Sequence, residues 1–203
     1  MTVEPAARRP HGRWLVGVLI VSVGLGLGFG WLLFGPPALG SQTETPLFTT
    51  LPAPAHVSSA PAPVANAPAP EFSLMSLDGS PVSLSQFSGQ PVLINFWASW
   101  CPPCRLEMPD LVKDYEAHQA EGFVLLGINV TSQDSLPDVR AFVKEFGMTF
   151  PVLLDEAGTV ESLYRLRGLP LSVFVDRQGI ISRINIGAMS ADQIDKYIGE
   201  ILK

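Results

Sequence analysis

Residues 91–111 read PVLINFWASWCPPCRLEMPDL. Val92, Leu93, Ile94, Phe96 and Trp97 surround a lone Asn95, the near-continuous apolar run of a strand covered on both faces. After a short turn come Cys101 and Cys104, the only cysteines of the chain, with Pro102 and Pro103 between them. Proline is tolerated in the first turn of a helix, where N–H groups have no intrahelical partner, so the segment predicts a helix that starts at the cysteine pair. Side chains at i and i+3 share one helix face, close enough to open and close a disulfide with little backbone movement. Cys101, at the helix N-terminus, meets the positive end of the helix dipole, which favours thiolate and hence attack on another disulfide. Cys104, one turn in, is placed to resolve the mixed disulfide. The prolines remove two donors that could have stabilised the Cys101 thiolate, and no histidine lies between the cysteines, so the expected couple is reducing; a disulfide donor that oxidises secreted proteins is the alternative, distinguished by reduction potential alone.

Other chemistries use the same spacing. A structural bridge closing four residues adds little stability. Two thiolates suffice for soft Cu(I), so a copper metallochaperone is the alternative from the binding class. A peroxidase needs one catalytic cysteine in a different setting and ranks lower. Three histidines in the whole chain are too few for a structural zinc site, and neither a metal nor another cofactor is expected.

On both sides of this stretch, strand and helix signals alternate, which predicts an α/β domain over residues 71–203. In EFSLMSLDGSPVSL (71–84), Asp78 and Gly79 supply turn chemistry for a hairpin. Residues 123–130 form a second buried strand. Val139, Phe142, Val143 and Phe146 recur at helical spacing over 136–147, with Asp134 or Ser135 as the cap and Gly147 at the close. Residues 171–175 and 180–186 flank a turn at 176–179. Ser190 and Gln193 make a capping box for a last helix that buries Ile194, Tyr197, Ile198 and Ile201.

The N-terminal third differs in kind. Overall composition is 47% hydrophobic and 16% charged, with mean hydropathy +0.28, too apolar for a merely soluble chain. Residues 14–34, WLVGVLIVSVGLGLGFGWLLF, carry no charge and as a helix would span about 32 Å, enough for a bilayer core of roughly 30 Å. Trp14 and Trp31 suit the two interfaces, and Arg8, Arg9 and Arg13 precede the run with no base between 35 and 70. That asymmetry places residues 1–13 in the cytoplasm and the remainder outside. The rival is a cleavable signal peptide ending near Ala38-Leu39-Gly40, but its apolar core would usually be about 7–15 residues, which favours a retained anchor. Residues 35–70 are rich in Pro and Ala and read as an extended linker. Residues 71–203 hold 17 acids and 10 bases, a net charge of −7, which excludes nucleic acid as a natural partner.

The strand, the Trp-Cys-Pro-Pro-Cys and the following helix resemble a thioredoxin fold, and PVLINFWASWCPPCRLEMPDL resembles the membrane-tethered TlpA/ResA/CcmG-type thioredoxins. The resemblance covers nearly all of 71–203, with a leading hairpin, an αβ insert at about 131–155, and Gly168-Leu169-Pro170 before a strand. It implies an extracytoplasmic thiol:disulfide oxidoreductase with Cys101 attacking, Cys104 resolving, and Pro170 in cis opposite them, its loop with Leu169 pairing to the substrate backbone. It also implies disulfide-containing protein substrates such as apocytochrome c or an oxidase copper site, recharged by a membrane thiol donor of CcdA/DsbD type. Glu107 matches the acid that these proteins carry three residues after the second cysteine. It shares a face with Cys104, Met108, Leu111 and Tyr115, so burial would raise its pKa and let it exchange protons with the thiols; a solvated helix charge is the alternative. Asn95 stands where cytosolic thioredoxins have a buried acid, and Pro109 matches a kinking proline. Trp100 would shield Cys101 and offer apolar contact to substrate, or simply pack. Trp97 belongs to the core. Leu171 stands where the family usually has Thr, and is expected to make the rim more apolar.

Overall fold

The computed structural model describes residues 63–203. Its centre is β3 (Val92–Trp97), buried at every position. β3 pairs in parallel with β4 (Val124–Asn129) and antiparallel with β6 (Leu171–Val175). Both edges are thereby hydrogen-bonded and both faces covered, the environment its sequence demands. Around these three strands the sheet extends to β1 (Ser73–Ser76), β2 (Pro81–Ser83), β5 (Val152–Leu154) and β7 (Ile181–Ile186), in the order β2-β1-β5-β4-β3-β6-β7. The leading hairpin is β1 with β2, and β1 joins the main sheet antiparallel to β5.

Alternation along β3 divides the core. Leu93 and Trp97 face one layer, with Met108 and Leu111 of α1 (Pro102–His118), Phe142 of α2 (Leu136–Phe146), and Ile194 and Ile198 of α4 (Ala191–Ile201). Ile94 and Phe96 face the other, with Leu126, Ile128, Val173 and Tyr164, which follows α3 (Thr159–Leu163). The αβ insert is α2 plus β5. Ser135, not Asp134, caps α2 by accepting from Asp138 N, and Gly147 closes it at φ 61°. The Ser190–Gln193 capping box of α4 is formed, and Ile194, Ile198 and Ile201 are its buried stripe, with Tyr197 only partly covered.

The domain begins earlier than residue 71. Asn66 N donates to Ile181 O at 2.8 Å, Ile181 N to Ala67 O at 2.9 Å, and Ala69 N to Gly179 O at 2.9 Å, with a bridge between Pro68 and Ile180. Tyr164 Oη donates to Pro70 O at 2.7 Å. The end of the Pro/Ala-rich stretch is therefore clipped to the outer edge of the sheet. A composition poor in large apolar side chains cannot build a core, but an edge pairing uses backbone groups, and proline is compatible with an edge. The expected segments 1–13 and 14–34, and the linker up to residue 62, lie outside the described residues.

Candidate active site

Cys101 and Cys104 form a disulfide, with Cα atoms 5.3 Å apart, where β3 hands over to α1. Cys101 is the N-cap of α1, and its Sγ accepts from Cys104 N at 3.2 Å. Pro102 and Pro103 occupy the next two positions and are exposed, so in this first turn they offer no N–H to Cys101. Cys104 is fully buried. Cys101 instead lines a groove of ≈ 510 Å³ that also includes Trp100, Pro102, Pro103, Gly168 and Leu169. Cys101, 2% exposed, is thus the cysteine that borders the groove, and Cys104 is not among its lining residues.

The Leu169–Pro170 bond is cis, as the resemblance implied. Leu169 enters the groove wall, while Pro170 is buried and its carbonyl accepts from Gly187 N at 2.8 Å. The expectation for Leu171 is overturned. Its side chain is 4% exposed and belongs to the core layer with Phe96 and Tyr164. Strand alternation turns residue 171 away from the rim, so the apolar rim residue of this loop is Leu169.

Glu107 is 1% exposed, which excludes a solvated helix charge. Its Oε1 accepts from Asn95 Nδ2 at 2.9 Å and its Oε2 from Met189 N at 3.0 Å. Burial pushes its pKa up to about 7, against the lowering effect of the Met189 and Asn95 hydrogen bonds. It lies one turn beyond Cys104 on the same helix face. Asn95 Nδ2 also donates to Ser172 Oγ at 3.0 Å, while Asn95 Oδ1 is buried with no partner. The two protonation states of Glu107 call for opposite orientations of that amide: a carboxylate needs the Asn95 N–H, whereas a carboxylic O–H would donate to the orphan Oδ1.

Sequence reasoning missed the support of the active-site loop. Asp134 Oδ2 accepts from Ser99 N at 2.7 Å and Asn129 Nδ2 at 2.9 Å, and its Oδ1 from Ser99 Oγ at 2.6 Å and Ser135 N at 2.9 Å. Burial raises the Asp134 pKa, but these hydrogen bonds outweigh it and hold the carboxyl below its usual range. Next to it, Trp100 Nε1 donates to Gln133 O at 2.9 Å while the indole remains 54% exposed. The insert's first turn thus fixes the two residues preceding Cys101. The available signal was the Asp134-Ser135 pair itself: one helix has room for one cap, which leaves the other acceptor for a different task. Trp97 is in the core, fully buried and stacked on Phe142 with ring centroids 4.5 Å apart.

A mixed sheet in this order, a Cys-Pro-Pro-Cys disulfide opening the first long helix, and a cis-proline before β6 define a thioredoxin-like protein built for thiol–disulfide exchange. The chain belongs to the AhpC/TSA family, whose model matches residues 65–184, and within that thioredoxin-like group it is a thiol-disulfide oxidoreductase of the ResA/StoA type. It is 37% identical over 188 residues to the thioredoxin-like protein YneN of Bacillus subtilis, covering 92% of this chain and 96% of that one. It is 32% identical over 164 residues to the thiol-disulfide oxidoreductase ResA of Geobacillus kaustophilus, covering 81% and 88%. The crystal structure of StoA from Bacillus subtilis superimposes with a TM-score of 0.56 at 32% identity, covering 65% of this chain and 98% of StoA.

Proposed function

We propose that this chain is an extracytoplasmic, membrane-anchored reductant of protein disulfides. In the reduced enzyme, Cys101 thiolate attacks one sulfur of a target disulfide, forming a mixed disulfide and releasing the other target sulfur as a thiolate. Cys104, as thiolate, then attacks Cys101 Sγ. The Cys101–Cys104 bond closes, the second target sulfur leaves as a thiolate that then takes a proton from solvent, and two electrons have passed to the target. Glu107 is suited to take the Cys104 proton, since a carboxyl with a pKa near 7 is half ionised close to neutral pH. Trp100, Pro102, Pro103 and Leu169 form the apolar contact surface around the attacking sulfur, and the loop ending in Pro170 supplies backbone groups to the bound segment.

The observation that carries the direction of electron flow is the first turn of α1. With Pro102 and Pro103 in place, Cys104 N is the single hydrogen-bond donor given to Cys101 Sγ. A thiolate with few donors is a poor leaving group, and its couple is reducing. The uncharged run 14–34 supports a single-pass anchor with the domain outside the cytoplasm. Because residues 66–70 are paired to the domain, the tether is residues 35–65, which at about 3.1 Å per residue reaches at most on the order of 100 Å. In an oxidising compartment the dithiol must be recharged, which calls for a membrane thiol donor of the CcdA/DsbD type. Haem-attachment cysteines of apocytochrome c, or cysteines of an oxidase copper site, are the substrates this reading favours.

The test is the reduction potential of the Cys101–Cys104 couple, read by thiol trapping of the full chain in detergent. A value near or below about −270 mV fits a dedicated reductant; one approaching about −120 mV makes the chain a disulfide donor and refutes the direction proposed. Cys101→Ser is expected to abolish insulin-disulfide reduction.

A further inference from the structure

The groove that holds Cys101 has a second wall, formed by the segment leading into the cis-proline. Arg165 and Arg167 both line this wall and are exposed. The domain has only 10 bases against 17 acids over 71–203, and two of those bases, the half-buried Arg105 and Arg183, are engaged with Glu145 and Glu200. Neither Arg165 nor Arg167 makes an ion pair or a side-chain hydrogen bond among the described residues. Glu161, the one acid of the groove, is already engaged: Oε1 accepts from Ser132 Oγ at 3.1 Å and Oε2 from Gln133 Nε2 at 3.3 Å. An acidic domain thus presents two unpaired guanidinium groups in the groove of its reactive sulfur.

The backbone adds an independent argument. Arg165 has φ +50°, one of two non-glycine residues in the left-handed region among those described. It ends α3: Leu166 N donates to Glu161 O at 2.9 Å and Arg165 N to Ser162 O at 3.1 Å, the hydrogen-bond closure that helices ordinarily complete with glycine. Glycine would fit this turn with less strain, because the left-handed region crowds a Cβ. The chain keeps a long cationic side chain at a position where local conformation favours none, and that side chain lines the groove.

We infer that Arg165 and Arg167 are specificity-determining residues that select target segments carrying acidic side chains beside the disulfide. The inference rests on the thiol–disulfide exchange reading of the same site. Charges at a solvent-exposed rim act mainly through encounter rate, are worth little singly, and are screened by salt. Two arginines acting on both an attracted and a repelled substrate give an expected preference of about tenfold at low ionic strength.

The test uses the reduced full chain in non-ionic detergent and two disulfide-bridged peptides of identical ring, one flanked by Asp and Glu and the other by Lys. A small neutral disulfide is run beside them with the unsubstituted chain. The acidic peptide is expected to react about tenfold faster at roughly 20 mM salt, with the gap closing by about 0.5 M, where the Debye length falls to a few ångströms. Arg165→Glu with Arg167→Glu should invert the ratio. Arg165→Gly should lower it while melting no lower than the parent chain; a lower melting temperature would make Arg165 a packing residue and overturn the inference. Equal rates for both peptides, or a ratio indifferent to salt, would overturn it even if the charge-reversed protein fails to fold. If the neutral disulfide is not reduced either, the exchange reading itself has failed; if it is reduced while the peptides are not distinguished, only the role of the arginines has.

Discussion

Replacing Glu107 by Gln removes the most deeply buried carboxyl of the active-site helix, and its effect on stability can be worked out in sign and size. The folded-state pKa is about 7, against an ordinary value of 4.5. Between those values the folded protein holds a proton that the unfolded chain has released, so stability is full below about pH 4.5 and falls as pH rises through 7. A shift of that size corresponds to stabilisation on the order of 3 kcal/mol, most of it lost between about pH 5 and 8.5. Glu107→Gln should therefore show a flatter pH profile than the parent and gain on it steadily toward alkaline pH. At the acid end it is expected to be no better, because Asn95 Nδ2 and Met189 N both donate to residue 107, and the Gln amide N–H₂ meets one of those donors until Asn95 turns its unpartnered Oδ1 toward it. Guanidinium unfolding of the oxidised protein at several pH values, followed by tryptophan fluorescence, measures the difference. If parent and variant share the same slope between about pH 5 and 8.5, the buried carboxyl is not the titrating group and its use as a proton carrier loses its basis.

Two further substitutions probe how the loop and the core are held. Asp134→Ala deletes four acceptor contacts, two of them to Ser99, and should destabilise the protein by roughly 1–3 kcal/mol while shifting Trp100 emission to the red. Since the Asp134 pKa is lowered in the folded state, the stabilisation it gives is present above its ordinary value of 3.8 and disappears as pH falls through the folded value, so parent and variant should converge in acid; urea midpoints above and below that range check both points. Gly127→Ala places a Cβ 2.8 Å from the Phe150 ring and 3.3 Å from Trp97 Nε1, inside a close-packed layer where Phe150 is 4% exposed. A loss of about 1–3 kcal/mol is expected, visible as a lower melting temperature.

How much of this was legible beforehand depends on the range of the interaction. β3, the helix start at the cysteine pair, the α2 closure at Gly147 and the Ser190–Gln193 box are written in residues a few positions apart, and local pattern predicts them correctly. Glu107 was legible as a residue on a buried face because that face is a property of one helix. Its acceptance from Met189 N, 82 residues away, was not, since nothing in the sequence near Met189 distinguishes one backbone N–H from another. Ser99 and Asp134 are 35 residues apart and meet because β3 and β4 are parallel neighbours, a fact of topology. The boundary at 71 erred for a related reason: the partner of residues 66–69 is a sheet edge more than 100 residues downstream, and composition reports only what a segment can bury. Arg165 was hidden by its own identity, since a left-handed helix end is normally announced by glycine.

The paired prolines bear on how such a protein can change over time. Pro102 and Pro103 are exposed and lie outside both core clusters, yet they decide how many N–H groups face the reactive sulfur. On the proposed reading, in which that number sets the redox poise, a replacement at either position shifts the poise without disturbing the layers beneath, so selection on redox poise and selection on folding act on separate codons. A lineage moved to a compartment of different oxidising strength can retune this domain at two surface sites and inherit the scaffold unchanged.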